Sequence, residues 1–219
     1  FIDHIRMIWM IKTIFLLWLG FNFTSMSIHE SILALVIFLF EVPLGALADF
    51  IGKRKAIVIS AGLHGIGFML IGIMNVPVHY YFIAIIMGLA FSFFSGSDVA
   101  LLYDSLKRVN REKEYKKIRG RINAIGQVGS IIGVFVGPAL YLVNPRLGFL
   151  LTGAIYLLGA IVLLTMKEPY NFNHKFTLKK HWQQTIESLK FSFKHIQVRW
   201  IIFYFFVGHI IYELVFAFF

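Results

Sequence analysis

Glu41-Val42-Pro43-Leu44-Gly45-Ala46-Leu47-Ala48-Asp49-Phe50-Ile51-Gly52-Lys53-Arg54-Lys55 is the stretch that decides how this chain is read. An apolar helix runs into it, a carboxylate stands at the helix edge, a glycine offers a tight turn, and three consecutive cations follow. Gly52 suits such a turn because it takes left-handed backbone angles without a Cβ clash. Glu41, Gly45 and Asp49 are spaced by four and share one helical face. Few settings in a membrane protein call for that order of features.

Composition agrees with a membrane setting. The chain is 58% apolar with 24 Phe, where an ordinary soluble domain is about 45–50% apolar. Its mean hydropathy is +0.77. The net charge of +10 sits in short segments between long apolar runs, not on one solvated face as a nucleic-acid binder would have it, so no nucleic-acid partner is expected. There is no cysteine, hence no disulfide and no thiolate metal site. No His-Glu-x-x-His or comparable metal spacing occurs, and no catalytic pair is visible. Neither an enzyme nor a cofactor is implied. The opening Phe1-Ile2-Asp3 lacks signal-peptide anatomy. A start without Met and an end inside the apolar run Val215–Phe219 read as a fragment of a longer protein.

A spanning helix needs roughly 20 mostly apolar residues. Six candidates fit, at 6–25, 30–48, 56–75, 80–103, 122–143 and 147–166, and a seventh begins near 200. The expected organisation is a six-helix bundle over 1–166, a linker over 167–199, and the start of a second transmembrane half over 200–219. Eighteen of the 21 Lys and Arg fall after helices 2, 4 and 6, whereas the alternate loops carry only Arg146. That asymmetry predicts a multi-pass protein of the cell membrane with its N-terminus in the cytoplasm. In the linker, Leu178, Trp182, Ile186, Leu189, Phe193 and Ile196 recur at steps of three and four, with Lys179, Lys180, Lys190 and Lys194 mostly off that stripe. This predicts an amphipathic helix lying on the lipid surface.

The opening stretch resembles the signature loop between the second and third helices of the major facilitator superfamily, Gly-x-Leu-Ala-Asp-basic-x-Gly-Arg-Lys. Gly45, Leu47, Ala48, Asp49 and Gly52 match it, Lys53 and Arg54 match with the basic types exchanged, and Phe50 stands where a basic residue is usual. Ser95-Gly96-Ser97-Asp98-Val99-Ala100-Leu101-Leu102-Tyr103-Asp104-Ser105-Leu106, together with Glu41-x-Pro43-x-Gly45, is similar to a drug-exporter-like branch of that superfamily. Gly133-x-x-x-Gly137-Pro138 is similar to the core of the fifth-helix motif of its antiporters, with Tyr141 and Leu142 at the motif's closing glycine pair.

The resemblance implies an all-α polytopic membrane protein: the N-terminal six-helix half, built as two inverted three-helix repeats, then the linker and the start of helix 7. It implies alternating access, with a small-molecule substrate bound near the midplane between this half and a missing C-terminal half that packs against it. Proton-driven efflux of a drug or amphiphile is the leading expectation. Metabolite uptake and a non-transporting scaffold or sensor are the rivals. The resemblance also implies a gating charge cluster of Gly45, Asp49, Gly52, Lys53, Arg54 and Arg119, in which Asp49 pairs with Lys53, Arg54 or Arg119.

Single residues carry two readings each. A mid-helix carboxylate costs about 2.5–3.5 kcal/mol on insertion scales and is by default a functional candidate. Asp98 is a substrate or proton contact, or a structural partner of Lys107 or Arg108. Glu41 lies about two turns inside Asp49 and is a proton carrier or a structural group. Asn123 and Gln127 share a face and are candidates for cavity lining. His209 and Glu213 share a proton, or make a polar contact across the half-interface. Lys12 snorkels toward the cytoplasm. Gly126, Gly129, Gly133 and Gly137 form a smooth stripe for close helix contact, and Pro138 is expected to kink that helix.

Overall fold

The computed structural model describes residues 9–166, 168, 187, 194–204 and 207–208. The chain divides into two compact units, Phe1–Phe176 and Thr177–Phe219. In the second, residues 196–204 are helical, with Trp200 edge-on to Phe203 at 5.9 Å. Most of the linker, including every residue of its amphipathic stripe but Ile196, and His209 and Glu213 lie outside the described residues.

In the first unit the described helices are α1 (Trp9–Trp18), α2 (Phe23–Ile51), α3 (Lys53–Ile73), α4 (Pro77–Phe94), α5 (Ser97–Arg108), α6 (Tyr115–Val143) and α7 (Leu147–Thr165), with a single 3₁₀ turn at Glu112–Glu114. Among the described residues five stretches are long and apolar enough to cross a membrane: Phe23–Ile51, Lys53–Ile73, Val78–Arg108 taken as one, Glu112–Val143 and Leu147–Thr165.

Three boundaries differ from the sequence expectation, each for a local reason. α2 starts at Phe23, inside what hydropathy assigned to helix 1, because Asn22 Oδ1 accepts the Ser25 N–H at 2.8 Å and caps the helix there. Thr24–His29, expected as a loop, is helical. The fourth span, expected as one helix over 80–103, is broken at Ser95–Gly96. Gly96 takes φ +72°, and Ser95 N–H closes α4 on Phe91 O. α6 starts at Tyr115 rather than 122, so Arg119 and Arg121 ride on its first turns, where long basic side chains reach the polar end of a span. Prolines do not interrupt the helices: α2 runs through Pro43 and α6 through Pro138.

Gly52 alone joins α2 to α3. At φ +102° it donates its N–H to Ala48 O, ending one helix, and accepts the Ala56 N–H, starting the next. α3 packs on α7 and on α4, α2 packs on α4, and α1 lies against α6 and meets α7 through Phe15 and Phe149, 4.5 Å apart.

The α3–α7 pair is antiparallel and closest at two glycines. A Cβ on Gly65 would stand 3.0 Å from Gly153 O, and a Cβ on Gly153 would stand 2.7 Å from Gly65 O. Small residues let two helix backbones approach this closely where lipid offers no hydrophobic drive. At the end of the bundle away from Lys53–Lys55, Phe15, Leu16, Phe21, Ile71, Met74, Tyr80, Ile83, Met87 and Phe149 form the main apolar core. By contrast α2 leaves Leu35, Phe38 and Leu39 exposed, and α6 leaves Ile131, Phe135 and Leu142 exposed.

Gly153→Ala should therefore destabilise the bundle by about 1–3 kcal/mol, as overpacking does, because backbone atoms bar its methyl. Gly45→Ala meets nothing within 4 Å and should be neutral or slightly stabilising. Unfolding of the two variants in detergent, followed by helical circular dichroism, checks the contrast.

Candidate functional site

Polar chemistry in the bundle collects at three levels. At the basic end, Asp49 of α2 pairs with Lys53 of α3 at 2.5 Å. Of the three cations offered to Asp49 by the sequence, this is the one it takes. Arg54 turns instead to α7, its Nη1 donating to Leu164 O at 3.2 Å and Met166 O at 2.5 Å, the last carbonyls of that helix. Lone carbonyls at a helix C-terminus carry partial negative charge, so a guanidinium is favourable there.

Glu168, which the sequence reading passed over inside a basic segment, completes the arrangement. Its Oε1 accepts the Arg54 backbone N–H at 3.2 Å, and its Oε2 lies 3.8 Å from Arg54 Nε. A carboxylate thus sits on the N-terminus of α3, where orphan N–H groups attract it. It rests against Gly52, at which any Cβ would come within 2.9 Å of the carboxylate. Arg108, at the end of α5, donates to Glu168 O at 3.3 Å. Beside this end Arg111 holds Glu114 through two hydrogen bonds of 2.7 Å.

At mid-span the break in helix 4 is tied to two neighbours. Ser95 Oγ donates to Glu41 Oε1 at 2.7 Å, and Arg119 Nη1 donates to Asp98 Oδ2 at 2.9 Å. Asp98 thus takes its cation from α6, not from Lys107 or Arg108, and Arg119 joins Asp98 rather than Asp49. Ser97, fully buried at the start of α5, has a hydroxyl with no hydrogen-bond partner. Asn123 and Gln127 are exposed on α6. The small residues Gly126, Ser130, Gly133 and Gly137 are buried, with Gly129 half-buried and Pro138 exposed.

At the opposite end Lys12 of α1 and Glu30 of α2 form an ion pair, and His29 stacks on Tyr80 at 3.7 Å. Lys12 therefore has a carboxylate across the helix contact rather than only a route to the surface. Arg146, just before α7, donates to Gly72 O at 3.0 Å and Asn75 Oδ1 at 2.6 Å, and lies over the Trp18 ring. It does for the end of α3 what Arg54 does for the end of α7. Among the described residues no group of three His, Asp or Glu has metal-binding geometry.

Glu30, Glu168 and the Arg146 clamp were missed because their partners are 18, 114 and 74 residues away. Their only sequence signal was a charge beside an apolar run.

Residues 5–219 match a family model described as Major Facilitator Superfamily. No curated protein matches the chain.

Asp98→Asn should leave the Arg119 guanidinium without its carboxylate and lower stability in detergent by about 1–3 kcal/mol. Adding Arg119→Gln should recover most of the loss. A double-mutant coupling energy near zero would show that the pair does not hold α5 to α6.

Proposed function

We propose, because the chain belongs to the major facilitator superfamily, that it works by alternating access and exports small amphiphiles in exchange for protons. The observation that carries this reading is Glu41, a carboxylate on an exposed face of α2, at mid-span and in the same stretch as the exposed Phe38 and Phe40. An apolar, aromatic surface with one deep carboxylate suits an amphiphile that trades places with a proton. Asp98, Asn123 and Gln127 are the further candidate contacts, and His209 and Glu213 remain candidates from sequence.

The helix neighbours support an inverted-repeat design. Two three-helix repeats related by a two-fold axis would pair the third helix of each with the other, and the second helix of each with the first of the other. α3 with α7, α2 with α4, and α1 with α6 are such pairs, and the antiparallel α3–α7 contact is what an axis in the membrane plane requires. A second half of similar design would close the exposed faces of α2 and α6 around the substrate.

The basic end is read as cytoplasmic, on the charge asymmetry of the loops. There Asp49–Lys53 acts as a latch that breaks when the cytoplasmic side opens, while Arg54 and Glu168 fix the turn that presents Lys53.

Asp49→Asn in the full-length carrier should cut amphiphile flux into proteoliposomes at least about tenfold, corresponding to roughly 1.4 kcal/mol of lost coupling, with reconstitution yield unchanged. An outwardly directed proton gradient, with the vesicle interior acidic, should accelerate wild-type flux into the vesicles. Flux indifferent to the gradient would remove proton exchange from the reading, and normal flux in Asp49→Asn would remove the latch.

A further inference from the structure

The cations at the basic end fall into two groups. Lys53 holds Asp49, Arg54 holds the last carbonyls of α7, and Arg108 holds Glu168 O. Arg111 holds Glu114, and Arg119 holds Asp98. By contrast Lys116, Lys117 and Arg121, all on the first turns of α6, have no hydrogen bond or ion pair among the described residues. All three are exposed. Glu114, whose charge reaches Lys117 and Arg121, is already engaged by Arg111 through both carboxylate oxygens. Lys117 and Arg121 stand four apart, a like-charge spacing that costs a helix stability unless an anion joins the two.

Depth and shape narrow the choice of anion. The charge-free part of α6, residues 122–143, is about 33 Å long at 1.5 Å per residue, which matches the hydrocarbon core of a bilayer. Lys116, Lys117 and Arg121 therefore stand at headgroup level. Tyr115, edge-on to Tyr103 of α5 at 5.9 Å, marks the same level, as tyrosines do at membrane–water interfaces. Gly120 lies among the three cations, four residues after Lys116 and three after Lys117. A Cβ there would meet nothing within 4 Å, so the cations surround a bare stretch of backbone. Further into the membrane Ile125, Val128 and Ile132 are each 57% exposed. They continue the line of Lys117 and Arg121 at steps of three and four. Asn123 and Gln127, the side of α6 read above as facing substrate, lie roughly 140° round the helix from that line.

A free phosphate would use the cations alone, whereas a phospholipid uses the cations and the apolar line together. Three positive charges with no free carboxylate beside them favour an anionic headgroup over a zwitterionic one. We propose that the α5–α6 corner binds an anionic phospholipid, its phosphate over Gly120 among Lys116, Lys117 and Arg121, and an acyl chain along Ile125, Val128 and Ile132. The site needs the chain to span a bilayer and does not depend on proton exchange. Arg119 rides on the same turns and holds Asp98 of α5, so the lipid steadies that corner from outside.

The test is thermal unfolding of the purified full-length protein in a neutral detergent, titrated separately with dioleoyl phosphatidylglycerol, dioleoyl phosphatidylcholine and inorganic phosphate. Phosphatidylglycerol should raise the midpoint in a saturable way, and added salt should weaken the effect. Phosphatidylcholine and phosphate at the same concentrations should not raise it. Each of Lys116→Gln, Lys117→Gln and Arg121→Gln should increase the half-saturating concentration about fivefold. Gly120→Leu, which fills the gap and keeps every charge, should increase it at least as much. The four positions are exposed, so their substitution tests binding rather than packing. Half-saturation unchanged in the three cation variants overturns the proposal. An unchanged value in Gly120→Leu overturns it too, because only diffuse attraction to the basic end would then remain. Phosphate matching the lipid would assign the corner to a free anion. Displacement of phosphatidylglycerol by a hexaglutamate peptide at lower concentration would assign it to an acidic protein, and either result overturns the lipid.

Discussion

The last carbonyls of a helix have no partner within it, so what satisfies them must come from water or from elsewhere in the protein. α3 and α7 meet this demand for each other. Arg54, at the start of α3, holds the last carbonyls of α7, and Arg146, just before α7, holds Gly72 at the end of α3. Both clamps depend on one antiparallel register, and that register is set where Gly65 and Gly153 let the two backbones touch. A slip of one residue along the contact would unseat both arginines and drive side chains into the glycine crossing. α4 docks on α3, α2 docks on α4, and α1 reaches α7 through Phe15, so the remaining helices inherit their placement from this pair.

Charge along α2 follows a related logic. Glu30 near one end has Lys12, and Asp49 at the other has Lys53. Glu41 between them has a serine hydroxyl. The ends of the helix are tied by ion pairs to neighbouring helices, while the carboxylate in its middle accepts a hydrogen bond from Ser95. The break in helix 4 lies beside that middle, with its far side fastened to α6 by Arg119 and Asp98.

Five of the spans were legible because their length and apolarity are properties of contiguous sequence, and so was the turn at Gly52, where a glycine separates an apolar run from three cations. The pair Asp49–Lys53 was legible only as one of three partners offered to Asp49, because the positive φ at Gly52 that turns Lys53 back toward it lies between two separate helices. What escaped was anything set by distant chain. The Asn22 cap was hidden in an apolar stretch that hydropathy assigned to a single helix. Gly96 was visible within a long motif, but a lone glycine in an apolar run does not announce whether the helix continues through it. Arg54 read as one more cation of a surface cluster until the end of α7 stood beside it. Glu168 read as background in a basic linker, because nothing within four residues of it hints at the start of α3.

That last contact gives the fold a history. Glu168 is 114 residues downstream of the Arg54 amide it caps, and at about 5–20 residues per second a ribosome needs roughly 6–23 s to make the intervening chain. Through that interval α3 is already synthesised, yet its first turn lacks the carboxylate that closes it. Insertion of the early helices and completion of their junction are thus separate events in the birth of the molecule. A nascent chain stalled before residue 168 is a bundle with its Gly52 corner still open.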